Sequence, residues 1–135
     1  MKIAVVLGAA ALLSGCSMKA DMDATNAGIA RFHQEVEAGQ FARIYDESSP
    51  LMKAAATKDG FVGFLSAVHK KLGAFKGGNV GGFNDNVSTG GHRVIVGYQA
   101  QYQNGPAAET FTFAIEGGRA LLVGYNINST ALILR

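Results

Sequence analysis

Three histidines, an adjacent tyrosine–aspartate pair, a group of tyrosines and asparagines late in the chain and one cysteine are the side chains here with chemistry to offer. His33, His69 and His92 stand too far apart to form a local metal motif. No two of them have the i, i+4 spacing of a helical zinc site, and there is no second cysteine. His33 falls inside an apolar stripe and His69 flanks another, so both read as core or boundary residues. His92, in Gly90-Gly91-His92-Arg93, opens a strand and is expected to face solvent. Tyr45-Asp46 would suit an acidic base beside a tyrosine that steadies an enolate in an apolar pocket. Adjacent helical residues point about 100° apart, however, and reach one substrate only if the helix ends between them. Asp46-Glu47-Ser48-Ser49-Pro50 reads more simply as a helix end and loop.

Gly77-Gly78-Asn79-Val80-Gly81-Gly82 lacks the Lys-Ser/Thr of a phosphate loop and follows a helix instead of preceding one. It reads as a place where a strand bulges. Ser14, Ser48, Ser66 and Ser88 lie in no Gly-x-Ser-x-Gly elbow, so serine hydrolysis has no support. No catalytic residue, metal ligand or cofactor is expected. The remaining lead is a ligand-binding set on the last strands: Tyr98, Tyr102, Tyr125, Asn126 and Asn128 could ring a concave apolar pocket. By alternation Tyr98 and Tyr102 share a face, while Asn126 and Asn128 face away from Tyr125. The plainer reading has the tyrosines rimming the core with their hydroxyls in water.

Cys16 is the only thiol, and its setting is specific. It follows Met1-Lys2, an apolar run from Ile3 to Leu13 and the small residues Ser14-Gly15. That order has the grammar of an export signal, and Leu13-Ser14-Gly15-Cys16 resembles a bacterial lipobox, cut before the cysteine, whose thiol then carries lipid. The run of about 11 residues is too short to span a membrane, which takes roughly 20. Residues 1–15 are thus expected to be a lipoprotein signal peptide, a helix detached from the domain. Residues 16–23 would be the lipidated Cys16 and a polar tether, and residues 24–135 a single domain. Ser17 after the cysteine resembles default outer-membrane sorting, which implies a membrane-anchored envelope protein facing the periplasm.

Removal of residues 1–15 leaves about 120 residues, the size of one domain. The formal net charge of the whole chain is +2, and only Lys70-Lys71 are adjacent cations, a pattern that disfavours nucleic acid as a partner. With one cysteine the domain forms no internal disulfide and depends on its core.

The elements that must carry these side chains are helices first and strands second. Ile29, Phe32, His33 and Val36 recur at helical spacing, which predicts a helix from about Ala24 to Ala38, stopped at Gly39. Phe41, Ile44 and Tyr45 make a short second piece, and Ser49-Pro50 reads as N-cap and first residue of a third, reaching about Ala56. Phe61, Phe64, Leu65, Val68 and Leu72 form the stripe of a helix over Asp59–Leu72, ended by Gly73. Beyond Phe75 the period becomes two. His92 to Tyr102 alternate, Asn104-Gly105-Pro106 turns, Phe111, Phe113 and Ile115 alternate with threonines, and Gly117-Gly118 makes a hairpin into Leu121, Val123, Tyr125 and Ile127. A fourth strand is expected within about Phe75 to Val87. The fold class is α+β: N-terminal helices on a curved, cone-like antiparallel sheet of three to four strands.

This plan resembles the nuclear-transport-factor-2-like (cystatin-like) α+β cone. More narrowly, it resembles small bacterial lipoproteins carrying a domain of unknown function, through Phe61-Val62-Gly63-Phe64-Leu65, Leu72-Gly73 and Val123-Gly124-Tyr125-Asn126-Ile127-Asn128-Ser129. The resemblance covers most of residues 24–129. It implies a homodimer through the outer face of the sheet, and relatives that include isomerases, dehydratases and plain binding or assembly domains, so it transfers no activity by itself. Two functions follow as expectations. One is a non-enzymatic envelope lipoprotein that binds a protein partner or a small apolar ligand. The other is a cone-fold enzyme acting on a small apolar substrate, which a buried Asp or Glu with a strongly raised pKa inside the cone would favour.

Overall fold

The computed structural model describes the backbone of residues 13–134 and the side chains of residues 18–134. Residues 1–12 of the expected signal helix, and the side chain of Cys16, lie outside the described residues. The chain runs α1 (Leu13–Glu37), α2 (Phe41–Asp46), α3 (Pro50–Ala55), α4 (Lys58–Leu72), β1 (Phe75–Ser88), β2 (Gly91–Tyr102), β3 (Gly105–Glu116), β4 (Arg119–Asn128) and α5 (Thr130–Ile133). It is an α+β fold, with an antiparallel meander in the order β1-β2-β3-β4.

Local chemistry accounts for most element ends. The Ser49 side chain accepts the Leu51 N–H ahead of Pro50, and Thr57 accepts the Gly60 N–H at the start of α4. Gly73, at φ +74°, ends α4 as its position after the apolar stripe requires. The β3–β4 hairpin turns at Gly117 and Gly118, both with positive φ, the backbone a two-residue turn of this hand needs. The β2–β3 turn is one step earlier than expected: Tyr102 already pairs with Gly105, so Gln103-Asn104 make the corner and Gly105-Pro106 begin β3. Asn104 clips that corner to α4, donating from its backbone N–H to Leu72 O and from Nδ2 to Lys71 O.

Three differences from the sequence expectations stand out. The first helix does not begin near Ala24, and residues 18–23 are not an extended tether; they are helix, continuous with the stripe that buries Ile29, Phe32, His33 and Val36. β4 does not alternate strictly. A bulge opposite Thr112–Phe113 makes Phe113 pair with Leu122 and Phe111 with Tyr125. Ala120, Leu122 and Tyr125 therefore line the core side, while Leu121 is turned outward, opposite Ala114. The last helix, α5, has no signal in the apolar pattern; Ser129 caps it by accepting the Ala131 N–H and holds it to β3 through Pro106 O.

The helices cover one face of a sheet whose curvature is modest. The main core joins Ile29, Phe32 and Val36 of α1, Phe61 and Leu65 of α4, and Val96, Phe111 and Phe113 of the strands. A second cluster joins Val68 and Leu72 to Ala100, Tyr102 and Ala107. Where the two clusters meet, β3 carries a residue that is not apolar at all.

Candidate functional site

That residue is Glu109. On β3 the inward positions are Ala107, Glu109, Phe111 and Phe113, so an acid stands in the middle of an otherwise apolar row. Its side chain is fully shielded from solvent. Three donors close around it from three elements. Tyr102 on β2 and Tyr125 on β4 each donate to Oε1, at 2.5 and 2.6 Å, and Nε2 of His33 on α1 donates to Oε2 at 2.8 Å. A carboxylate has only acceptors to offer, and these donors reach both of its oxygens.

The surroundings are aromatic. The His33 ring stacks on Phe75 with centroids 3.8 Å apart, and Phe111 stands edge-on to it at 5.9 Å. Tyr98, cross-strand partner of Glu109, tilts against the same histidine at 5.2 Å. Gly78 makes room for it: a Cβ there would meet the Tyr98 ring at 2.5 Å and Gln99 O still closer. The hydroxyls of Tyr102 and Tyr125 titrate well above the usual tyrosine range, chiefly through burial and then through the Glu109 charge. Tyr98 moves the same way for the same reasons. Both phenols therefore stay neutral donors at any physiological pH.

Among the residues singled out from the sequence, Tyr102 and Tyr125 reach this cluster and Tyr98 flanks it. Asn126 and Asn128 do not; they are exposed on the other face of β4 from Tyr125, as alternation beyond the bulge requires. His33 lies in the core, as its place in the stripe implied, but it is bonded to an acid 76 residues away. Glu109 belongs to no motif, and its one signal in the sequence is that it shares the parity of Phe111 and Phe113. His69 Nδ1 is 3.5 Å from Glu37 at the boundary. Tyr45 donates to Ala56 O and Asp46 pairs with Lys58, so that pair has the structural role of a loop clip. His92 is corrected more strongly. It is not a free solvent-facing side chain, because Asp85 and Asp21 both lie against its Nε2.

A second acid sits at the α1–α2 boundary. Glu35 is buried and titrates above the ordinary glutamate range, first through burial and then through the neighbouring Glu47 carboxyl. Glu47 titrates below it, held down by Arg43 at 2.8 Å. The folded state holds the Glu35 proton more tightly than the unfolded chain, so Glu35 costs stability as pH rises from the ordinary carboxyl range through its raised value. Glu35→Gln should raise the unfolding midpoint by about 1–4 °C at pH 7, with the gain fading near pH 4. Thermal unfolding of both proteins at the two pH values reads this, and a variant less stable at pH 7 refutes it.

A family model described as "Protein of unknown function (DUF4019)" matches residues 30–125. The match takes in His33, Tyr98, Tyr102, Glu109 and Tyr125, and stops short of Cys16 and Asp21 at one end and Asn126 at the other. No curated protein matches the chain.

Proposed function

We propose that this chain, which belongs to the DUF4019 family of proteins of unknown function, is a non-enzymatic binding or assembly module held at a bacterial cell envelope by lipid on Cys16. The observation that carries the non-enzymatic part is the state of Glu109. Glu109, the acid at the centre of the core, is fully shielded, and three internal donors already occupy its oxygens. A general base needs a substrate proton within hydrogen-bond reach, and here that space is filled by the protein's own side chains. The cluster reads as a polar pin that fixes α1 and three strands in one arrangement.

The outer face of the sheet is the surface such a module would offer. Ile95 is half exposed there, and Leu121 stands on the same face opposite Ala114. An apolar patch on an otherwise polar face favours a protein partner or a second copy of the chain. Helices gathered on one face of a four-strand meander agree with the nuclear-transport-factor-2-like reading. The lipobox-like Leu13-Ser14-Gly15-Cys16 supports the outer-membrane, periplasm-facing anchor.

Cys16→Ser is the test of the anchor. The wild type should fractionate with membranes and carry diacylglycerol mass, and the variant should be exported and soluble. Wild type that carries no acyl mass removes the anchor from the proposal. The enzyme reading, an isomerase- or dehydratase-like activity on a small apolar substrate, rests on the same Glu109 cluster. Native mass spectrometry of the Cys16→Ser protein tests for a ligand: a clean mass leaves a protein partner as the module's target, and a reproducible small-molecule adduct shows a ligand pocket and keeps the enzyme reading open.

A further inference from the structure

Far from Glu109, at the end of the sheet nearest the start of α1, three ligand-type side chains meet without any sequence motif to announce them. Asp85 on β1 and His92 on β2 lie on the core side of their strands, two register positions apart, since Asp85 pairs with Val94 and Val87 with His92. Asp21 reaches down to them from α1. Nε2 of His92 is 2.6 Å from Asp85 Oδ1 and 3.2 Å from Asp21 Oδ2. One ligand atom from each residue falls within 4.8 Å of the others. All three side chains are mostly buried, at 14, 13 and 23% exposed for Asp21, Asp85 and His92.

Hydrogen bonding alone serves this arrangement poorly. An imidazole nitrogen carries one proton or one lone pair, yet two carboxylates converge on this one. The two carboxyls also stand beside each other with little exposure, where like charges repel unless a proton or a cation lies between them. A divalent ion resolves both problems, because it offers two charges and several coordination directions at one point. Three ligands about 2.1 Å from one zinc ion stand roughly 3.4 Å apart, so Asp21 Oδ2, at 3.2 Å from Nε2, is already near its place, and Asp85 Oδ1, at 2.6 Å, must withdraw by a fraction of an ångström. We propose that Asp21, Asp85 and His92 form a divalent metal site, with Zn²⁺ the preferred ion.

The donor set decides the class. An imidazole with two carboxylates suits zinc and its borderline neighbours, whereas magnesium and calcium take oxygen alone. Three protein ligands leave a position open for water or an exchangeable ligand. The mechanical consequence is equally direct. Loading ties the start of α1 to the β1–β2 hairpin, about 7.5 Å of helix rise from Cys16. The site depends on neither the Glu109 cluster nor the lipid anchor.

Titration of Zn²⁺ alone into the full chain carrying Cys16→Ser, which removes the competing thiol, tests this by calorimetry and thermal unfolding. The expected result is one ion per chain and an unfolding midpoint raised by several degrees in excess metal. His92→Ala, Asp85→Asn and Asp21→Asn should each weaken uptake about tenfold or more. Asp21→Asn is a near-isosteric change in the third turn of α1, so it keeps the test alive if His92→Ala fails to fold. No uptake, or uptake undiminished in any folded variant of the three, overturns the site.

Discussion

Glu109→Ala is expected to lower the unfolding midpoint by about 12–20 °C. The truncation leaves the hydroxyls of Tyr102 and Tyr125 and Nε2 of His33 pointing into a space that water does not reach. Removing one member of a buried ionic or strongly hydrogen-bonded set costs about 3–5 kcal/mol, mostly as the penalty on the abandoned partners. In a domain of this size each kcal/mol moves the midpoint by about 4 °C. The whole stability of such a domain is only about 5–15 kcal/mol, so this one carboxylate decides whether the fold survives moderate heating. Chemical denaturation of wild type and variant measures the difference. A loss below about 1 kcal/mol would mean that water reaches the cluster and that the sealed description is wrong.

The source of the loss is separable. Tyr125→Phe alone should cost about 1.5–3 kcal/mol, the range for a hydrogen bond to a charged group. In the Glu109→Ala background the same change should cost little, because its partner has gone, and the double-mutant cycle reports that coupling. Glu109→Gln keeps the volume and one acceptor and should fall between wild type and alanine. A catalytic base would behave otherwise: the glutamine variant would keep its stability and lose turnover.

What the sequence revealed and what it hid divide along the range of the interaction. The stop at Gly73, the Ser49-Pro50 start and the Gly117-Gly118 hairpin each depend on a few neighbouring residues, and each is present. Period-two alternation found the strands and put Tyr98 and Tyr102 on the right face. It failed at β4, where one extra residue at a bulge changes parity between Leu122 and Tyr125 and no local signal marks the place. Both polar clusters were hidden for a different reason. His33 and Glu109 are 76 residues apart, and Asp21 meets Asp85 and His92 only because α1 extends past Ala24. Helical spacing says which face of α1 is buried, but not which strand residues it is buried against. The parity of Glu109 with Phe111 and Phe113 is legible in the sequence, and an acid in a core row requires buried partners that the local pattern does not name.

Phe111→Ala should destabilise the domain by about 3–5 kcal/mol, the cost of deleting a fully buried ring from a core that relaxes only in part. Phe111 has no exposed surface, and its ring lies 5.1 Å from Phe32, 5.1 Å from Tyr125 and 5.8 Å from Phe113. It thus joins α1 to β4 directly beside the Glu109 cluster. Phe111→Leu keeps most of the volume and should cost about half as much or less. The space left by alanine is walled by apolar atoms, and a dry cavity of that kind takes up small aromatic molecules. Benzene added to the alanine variant should therefore recover part of the lost midpoint and leave wild type unchanged. Wild type stabilised equally would show that the core already has an open apolar cavity, the feature that the enzyme reading needs. Rescue confined to the variant would mean that the wild-type ring fills this part of the core beside Glu109, which removes that space as a place for a small apolar substrate.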